Sequence, residues 1–247
     1  MRLATIICYC TADERFIRTC IDNALQISDQ VIIPVSTHWF DGKSEDLESL
    51  QRLSEEYPSV NITTFEWTPG KHPRYWHNMS RVVGKHLIEG DVDWILYIDS
   101  DEIVEPSLFN KFKSGETFND YDSYKLGCYW YFREPIYRST SYECSPVIVR
   151  AELANIDVNN LSIEREQLHE ALNVRKQSMI LQDGKPMVHH YSWCRTKEQM
   201  LTKVRTWGHA NDTDWTSLVL EEFSRDFNGT DFIHGYTYDV VEDTYKL

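Results

Sequence analysis

Two carboxylates one residue apart, Asp99 and Asp101, stand directly behind an apolar run, Trp94-Ile95-Leu96-Tyr97-Ile98. Continuous apolar residues rich in β-branched and aromatic types read as a buried strand. In open α/β sheets ligands bind beyond the carboxyl ends of the strands, so this strand delivers Asp99-Ser100-Asp101 to the place where a site is expected. An oxygen-rich pair of this kind suits a hard divalent cation, Mg²⁺ or Mn²⁺, carrying a diphosphate. The apolar run weakens the competing reading, a strand followed by a solvated acidic turn.

The elements that must position this turn alternate along the chain. Leu3 to Tyr9 reads as a buried strand. Asp13 to Ile27 reads as a helix, with Phe16, Ile17, Cys20, Ile21, Ala24 and Leu25 at helical spacing and Asp13 as N-cap. Gln30 to Val35 is a second strand, Ser44 caps a helix running to Tyr57, and Val60 to Phe65 is a third strand. This order predicts a parallel sheet covered by helices. After a Pro- and aromatic-rich loop, His77 to Glu89 reads as a helix closed by Gly90, just before the acidic strand.

Beyond residue 105 the pattern changes. Tyr124, Tyr129, Trp130, Tyr131 and Phe132 crowd one segment, Pro146 to Val149 and two short stretches between Met179 and Val188 read as strands, and residues 196–209 read as a helix. The tail from Asn211 is weakly periodic. The expected architecture is α/β: a mostly parallel central sheet flanked by helices over residues 1–210, with 211–247 as a C-terminal helical extension packed on the same domain.

Composition narrows the function classes. The chain of 247 residues has a formal net charge of −14 and no clustered basic tract, which argues against a nucleic-acid partner. No apolar run is long enough for a transmembrane segment. The N-terminus reads as a first strand and not as a signal peptide. The six cysteines lack zinc-site spacing and read as reduced, packed thiols, so a cytoplasmic location is expected.

Several of these segments carry a resemblance. The strand with Asp99-Ser100-Asp101 resembles the DXD motif of GT-A glycosyltransferases, family 2 type. Cys10-Thr11-Ala12-Asp13-Glu14 resembles that family's first strand-to-helix turn, and Asp41-Gly42-Lys43-Ser44 its segment after the second strand. Asn78 and Arg81 stand where such enzymes carry an Asn and an Arg near the nucleotide sugar. Val188-His189-His190-Tyr191-Ser192-Trp193, followed by a Lys/Arg-rich helix, is similar to a subgroup known from microbes and large DNA viruses; a viral chain would work in the host cytoplasm. The resemblance covers residues 3–105 well and 180–209 in part.

The resemblance implies a hexosyl- or pentosyltransferase that moves a sugar from a nucleoside diphosphate sugar, UDP- or GDP-linked, to a glycan hydroxyl, with inversion and with Mn²⁺ or Mg²⁺. It makes Asp101 the direct metal ligand, with Asp99 on ribose or reaching the metal through water. Thr11, Glu14, Asn78, Arg81 and Ser100 fall to the nucleotide sugar, and Asp41 to the base edge, although Asp41-Gly42 also reads as an ordinary turn. One of His189 and His190 supplies a further metal ligand; strand alternation lets only one face the site, and His190 is preferred. Glu170, then Glu166, is the candidate general base, because that family's base lies between the acidic motif and the later His. Lys197, Lys203 and Arg205 are candidates for the diphosphate, and the aromatics at 129–132 for an acceptor platform. Two other classes stay open. A nucleotidyltransferase would favour a Gly-rich loop after the first strand, and residues 10–16 contain no glycine. The other is a non-catalytic glycan-binding protein on a transferase-like fold.

Overall fold

The computed structural model describes residues 1–160, 165–170 and 173–247. Among the described residues eleven strands form one connected sheet: β1 (Leu3–Cys8), β2 (Gln30–Ser36), β3 (Asn61–Phe65), β4 (Trp94–Asp99), β5 (Glu102–Val104), β6 (Ser123–Phe132), β7 (Glu134–Arg150), β8 (Lys176–Gln182), β9 (Lys185–Pro186), β10 (Val188–Trp193) and β11 (Tyr238–Val240). The main path runs β3-β2-β1-β4-β7-β6-β10-β5. The quartet β3-β2-β1-β4 is parallel throughout; β7 then joins β4 antiparallel and the remainder is mixed.

Within the parallel quartet, β1, β2 and β4 are buried on both faces, which is why these strands are near-continuously apolar, whereas the edge strand β3 is only part-buried and carries Asn61, Thr63 and Thr64. On β1, Leu3 and Ile7 enter a core built with α1 (Glu14–Ala24), α2 (Leu47–Glu56) and α4 (Pro106–Lys113). Ile6 enters a second core with Ile32, Ile95 and Tyr97, closed by Leu87 and Ile88 just past α3 (Pro73–His86). α3 lies close on the sheet at Gly84, where an added Cβ would stand 2.5 Å from Ile6 Cγ2. A third, aromatic core joins Trp130 and Trp193 of β6 and β10 to α5 (Lys197–Thr206), α6 (Trp215–Glu222) and the chain beyond them.

Several boundaries differ from the sequence expectation for physical reasons. α3 starts at Pro73, not His77, because proline is pre-set for the first helical position and lacks the N–H that position leaves unpaired. Asp46, not Ser44, caps α2 by accepting from Ser49 N. Asp13 stands before α1 but makes no side-chain cap bond. The strand expected at Pro146–Val149 is the last part of β7, whose pairing with β6 shifts register three times. Such irregularities bend the ribbon and break its alternation, hiding it from a pattern search. All six cysteines are free. Among the described residues, no helix is long and apolar enough to cross a membrane.

Candidate active site

The carboxyl ends of β1 and β4 open into a cavity of about 610 Å³, and both motif carboxylates, Asp99 and Asp101, line it. Asp99 ends β4. Its Oδ1 lies 3.0 Å from Arg81 Nη2, 3.2 Å from His77 Nε2 and 3.7 Å from Arg165 Nη1. Burial alone would raise this carboxyl, but Arg165, His77 and Arg81 together hold it well below the usual carboxylate range. Ser100 is buried and its hydroxyl donates to Asp13 Oδ2 at 3.3 Å. Asp101 Oδ2 accepts from Arg195 Nη2 and from Lys203 Nζ, each at 2.9 Å. Against the opposing effect of burial, Lys203, then Arg195 and His190, hold Asp101 far below its ordinary value.

Glu102, fully buried on β5, sets the turn. Its Oε2 accepts from Asp99 N at 2.8 Å, and Arg165 clamps both carboxylate oxygens at 2.5 and 2.7 Å. β10 runs antiparallel to β5 with His190 opposite Glu102 and His189 opposite Ile103. The Ser145 hydroxyl donates to Glu102 Oε1 at 2.8 Å, so it accepts from His190 Nδ1 at 3.4 Å. His190 Nε2 faces Asp101 Oδ1 at 3.6 Å, and with Nδ1 engaged by Ser145 it is the ring nitrogen that could take a metal.

Cis ligands about 2.1 Å from an octahedral cation stand about 3.0 Å apart, so Asp101 Oδ1 and His190 Nε2 need only a small closure to share one. A second set, Cys8, His77 and Asp99, also brings ligand atoms within 4.8 Å of one another. There Arg81 Nη2 sits 2.8 Å from His77 Nε2 and 3.0 Å from Asp99 Oδ1, so a side-chain cation already bridges two of its three ligands.

Other expected residues lie elsewhere. His189 points to the opposite face of β10, where its Nδ1 meets Tyr131 OH at 2.8 Å and burial pushes it down to about 4; it is not brought to Asp101. Thr11 is bonded to the buried Glu45 and does not line the cavity, while Glu14 pairs with Arg18 at 3.5 Å on the helix surface. Asp41 is exposed and accepts from Lys43 N at 3.0 Å, an ordinary Asx turn; its neighbour Phe40 lines the cavity instead. Asn78 is fully buried off the cavity, and its amide has no hydrogen-bond partner among the described residues. Glu166 lines the cavity, whereas Glu170 does not and lies 3.5 Å from Lys125 Nζ. Of the aromatics at 129–132, Trp130 alone lines the cavity, facing Trp207, Trp215 and His234 from the C-terminal part.

Sequence reasoning passed over His77, Arg165 and Arg195. His77 lies one turn before Arg81 on the same helix face, which was a usable signal. Arg165 sits inside an acidic run and Arg195 behind a packed strand, and neither segment carries a periodicity that marks them.

No protein-family model and no curated protein matches the chain. Solved structures do. Staphylococcus aureus TarS residues 1–349 in complex with UDP superposes with TM-score 0.52 at 13% identity, covering 92% of this chain and 73% of that one. A second structure of TarS 1–349 gives 0.50 at 14% identity, over the same shares of each chain. The mannosyltransferase PcManGT of Pyrobaculum calidifontis, in complex with GDP-Man and Mn²⁺, gives 0.44 at 13%, covering 75% of this chain and 56% of that one. By its strand order, its helices on both faces of the parallel quartet and this structural likeness, the chain has the GT-A glycosyltransferase fold.

Proposed function

We propose that this chain is a metal-dependent glycosyltransferase that moves a sugar from a UDP- or GDP-linked donor to a glycan hydroxyl, with inversion. The observation that carries the reading is the convergence of Asp99, Asp101 and His190 on one cavity at the carboxyl end of the parallel strands. UDP stands in the superposed TarS structure, which makes it the first nucleotide to try.

Asp101 Oδ1 and His190 Nε2 would hold Mn²⁺ or Mg²⁺, and imidazole favours Mn²⁺. When bound, the cation neutralises charge on the departing diphosphate. Asp99, held by Arg81, faces the ribose side. Glu166, on the cavity wall, takes the proton of the acceptor hydroxyl as its oxygen bonds to the anomeric carbon. The bond from that carbon to the phosphate oxygen breaks, and its electron pair leaves on the nucleoside diphosphate. Trp130, Trp207 and Trp215 give apolar faces on which the C–H face of an acceptor sugar can stack. Residues 211–247 supply Trp215 to this wall, consistent with an extension that works with the main domain.

The test is a thermal-shift panel with UDP, GDP, CDP and dTDP, with and without Mn²⁺. A ligand at a hundred times its Kd adds about 2.7 kcal/mol, or roughly 5–10 °C for a chain of this size. One diphosphate that shifts the melt only with metal supports the reading. Asp101→Ala should abolish that shift and turnover while the variant keeps a cooperative melt. Retained activity there refutes the metal assignment.

A further inference from the structure

Asp101 carries two cations on one oxygen, and they are built differently. Arg195 is fixed from several sides. Its Nη2 donates to Asp13 Oδ1 at 2.6 Å as well as to Asp101, its guanidinium lies 4.8 Å from the Phe16 ring centroid, and its side chain is 3% exposed. It does not line the cavity. Lys203 does line the cavity, on α5, and Asp101 is its only ion-pair partner among the described residues. A lysine ammonium is a point charge on a flexible four-carbon stem, so it can turn to a new anion without repacking; a forked, stacked guanidinium cannot.

Charge balance points the same way. Arg195 is shared between Asp13 and Asp101, and Arg81 and Arg165 are committed to Asp99 and Glu102. A diphosphate approaching Asp99 and Asp101 meets two carboxylates. Of the cations on these acids, Arg165 and Lys203 line the cavity; Arg165 is clamped on the buried Glu102, which leaves Lys203 as the lysine held by a single carboxylate.

We propose that Lys203 is an exchanging phosphate-binding residue: it pairs with Asp101 in the donor-free protein and transfers to the donor's diphosphate when a divalent cation engages Asp101. This rests on the reading of the site as a nucleoside diphosphate sugar site. The exchange makes Lys203 a competitor of the metal and a partner of the nucleotide. Removing the ammonium therefore moves two affinities in opposite directions, which loss of a merely structural contact does not do.

The experiment uses Lys203→Met in the full chain. Mn²⁺ binding is titrated by electron paramagnetic resonance without nucleotide. The tightest of UDP, GDP, CDP and dTDP is then titrated by calorimetry at saturating Mn²⁺, beside its parent nucleoside. The variant should bind Mn²⁺ several-fold tighter, bind the diphosphate about tenfold weaker and bind the nucleoside as the wild type does. Lys203→Arg should recover most of the diphosphate affinity. Diphosphate affinity within about twofold of the wild type, or weaker Mn²⁺ binding, overturns the exchange. If Lys203→Met loses its cooperative melt, Asp101→Asn in chelator decides: freeing Lys203 should tighten metal-free diphosphate binding, and equal or weaker binding overturns the proposal. A wild-type protein that binds no nucleoside diphosphate refutes the donor reading itself. A wild type that binds while both variants behave like it refutes only the exchange.

Discussion

Replacing Arg165 by methionine probes the support beneath the acidic turn. Glu102 is fully buried, and Arg165 meets both of its oxygens at 2.5 and 2.7 Å. Without the guanidinium, Glu102 keeps, among the described residues, the Ser145 hydroxyl and Asp99 N as hydrogen-bond donors at 2.8 Å each, with His190 Nε2 at 3.9 Å. Breaking a buried pair from one side costs about 3–5 kcal/mol, because the remaining charge stays desolvated. At roughly 2–4 °C per kcal/mol for a chain of this length, the melting temperature should fall by about 6–20 °C. Urea unfolding followed by circular dichroism on Arg165→Met, Glu102→Gln and the double variant measures the coupling. A neutral glutamine can still accept from Asp99 N, so the double variant should be more stable than the sum of the singles by about 1–3 kcal/mol. A loss below about 1 kcal/mol in Arg165→Met, or additivity within about 0.5 kcal/mol, refutes the account of Arg165 as partner of a buried charge.

Three other perturbations test different links. Gly84→Ala gains about 1 kcal/mol of helix propensity but sets its Cβ 2.5 Å from Ile6 Cγ2 and 3.2 Å from Pro34 Cγ; overpacking at about 1–3 kcal/mol should win, read as a lower urea midpoint. Glu166→Gln should lower turnover about 10²–10⁴-fold with donor affinity unchanged, while Glu170→Gln stays near wild type; steady-state kinetics and calorimetry together decide, and the reverse ranking returns the base to Glu170. Asp122, hydrogen-bonded by Arg175 and Arg150, is held down to about 2 from 3.8. Its folded value is depressed, so its contribution is complete above the unfolded value and is lost as pH falls from near 4 through about 2. Melting curves of Asp122→Asn should therefore lose part of the wild type's acid sensitivity in that window, and an unchanged pH dependence counts against the pairing.

The alternation of strands and helices through residue 99 was legible in the sequence because it is local. A strand buried on both faces must be continuously apolar, and a covering helix must repeat its apolar residues at 3.6, whatever the rest of the chain does. The acidic turn was legible for the same reason, being the abrupt end of such a strand. The sequence also determined that only one of His189 and His190 faces the site, since neighbours on a strand point to opposite faces. Which one does so was decided by tertiary register, with His190 set opposite Glu102 on β5.

What only the tertiary structure decided is the electrostatic shell of that turn. Arg165, Arg195 and Lys203 reach Glu102 and Asp101 across 63, 94 and 102 residues of chain. No local periodicity encodes such contacts, because each cation is placed by the packing of its own element. Asp13 shows the two levels in competition. Its position before α1 predicts a helix cap, yet its carboxylate turns to Arg195 at 2.6 Å, since a charge-assisted bond in a part-buried setting outweighs a cap bond. The chain's local pattern thus determined where the carboxylates emerge, and long-range packing of charges that cannot be buried unpaired decided what surrounds them.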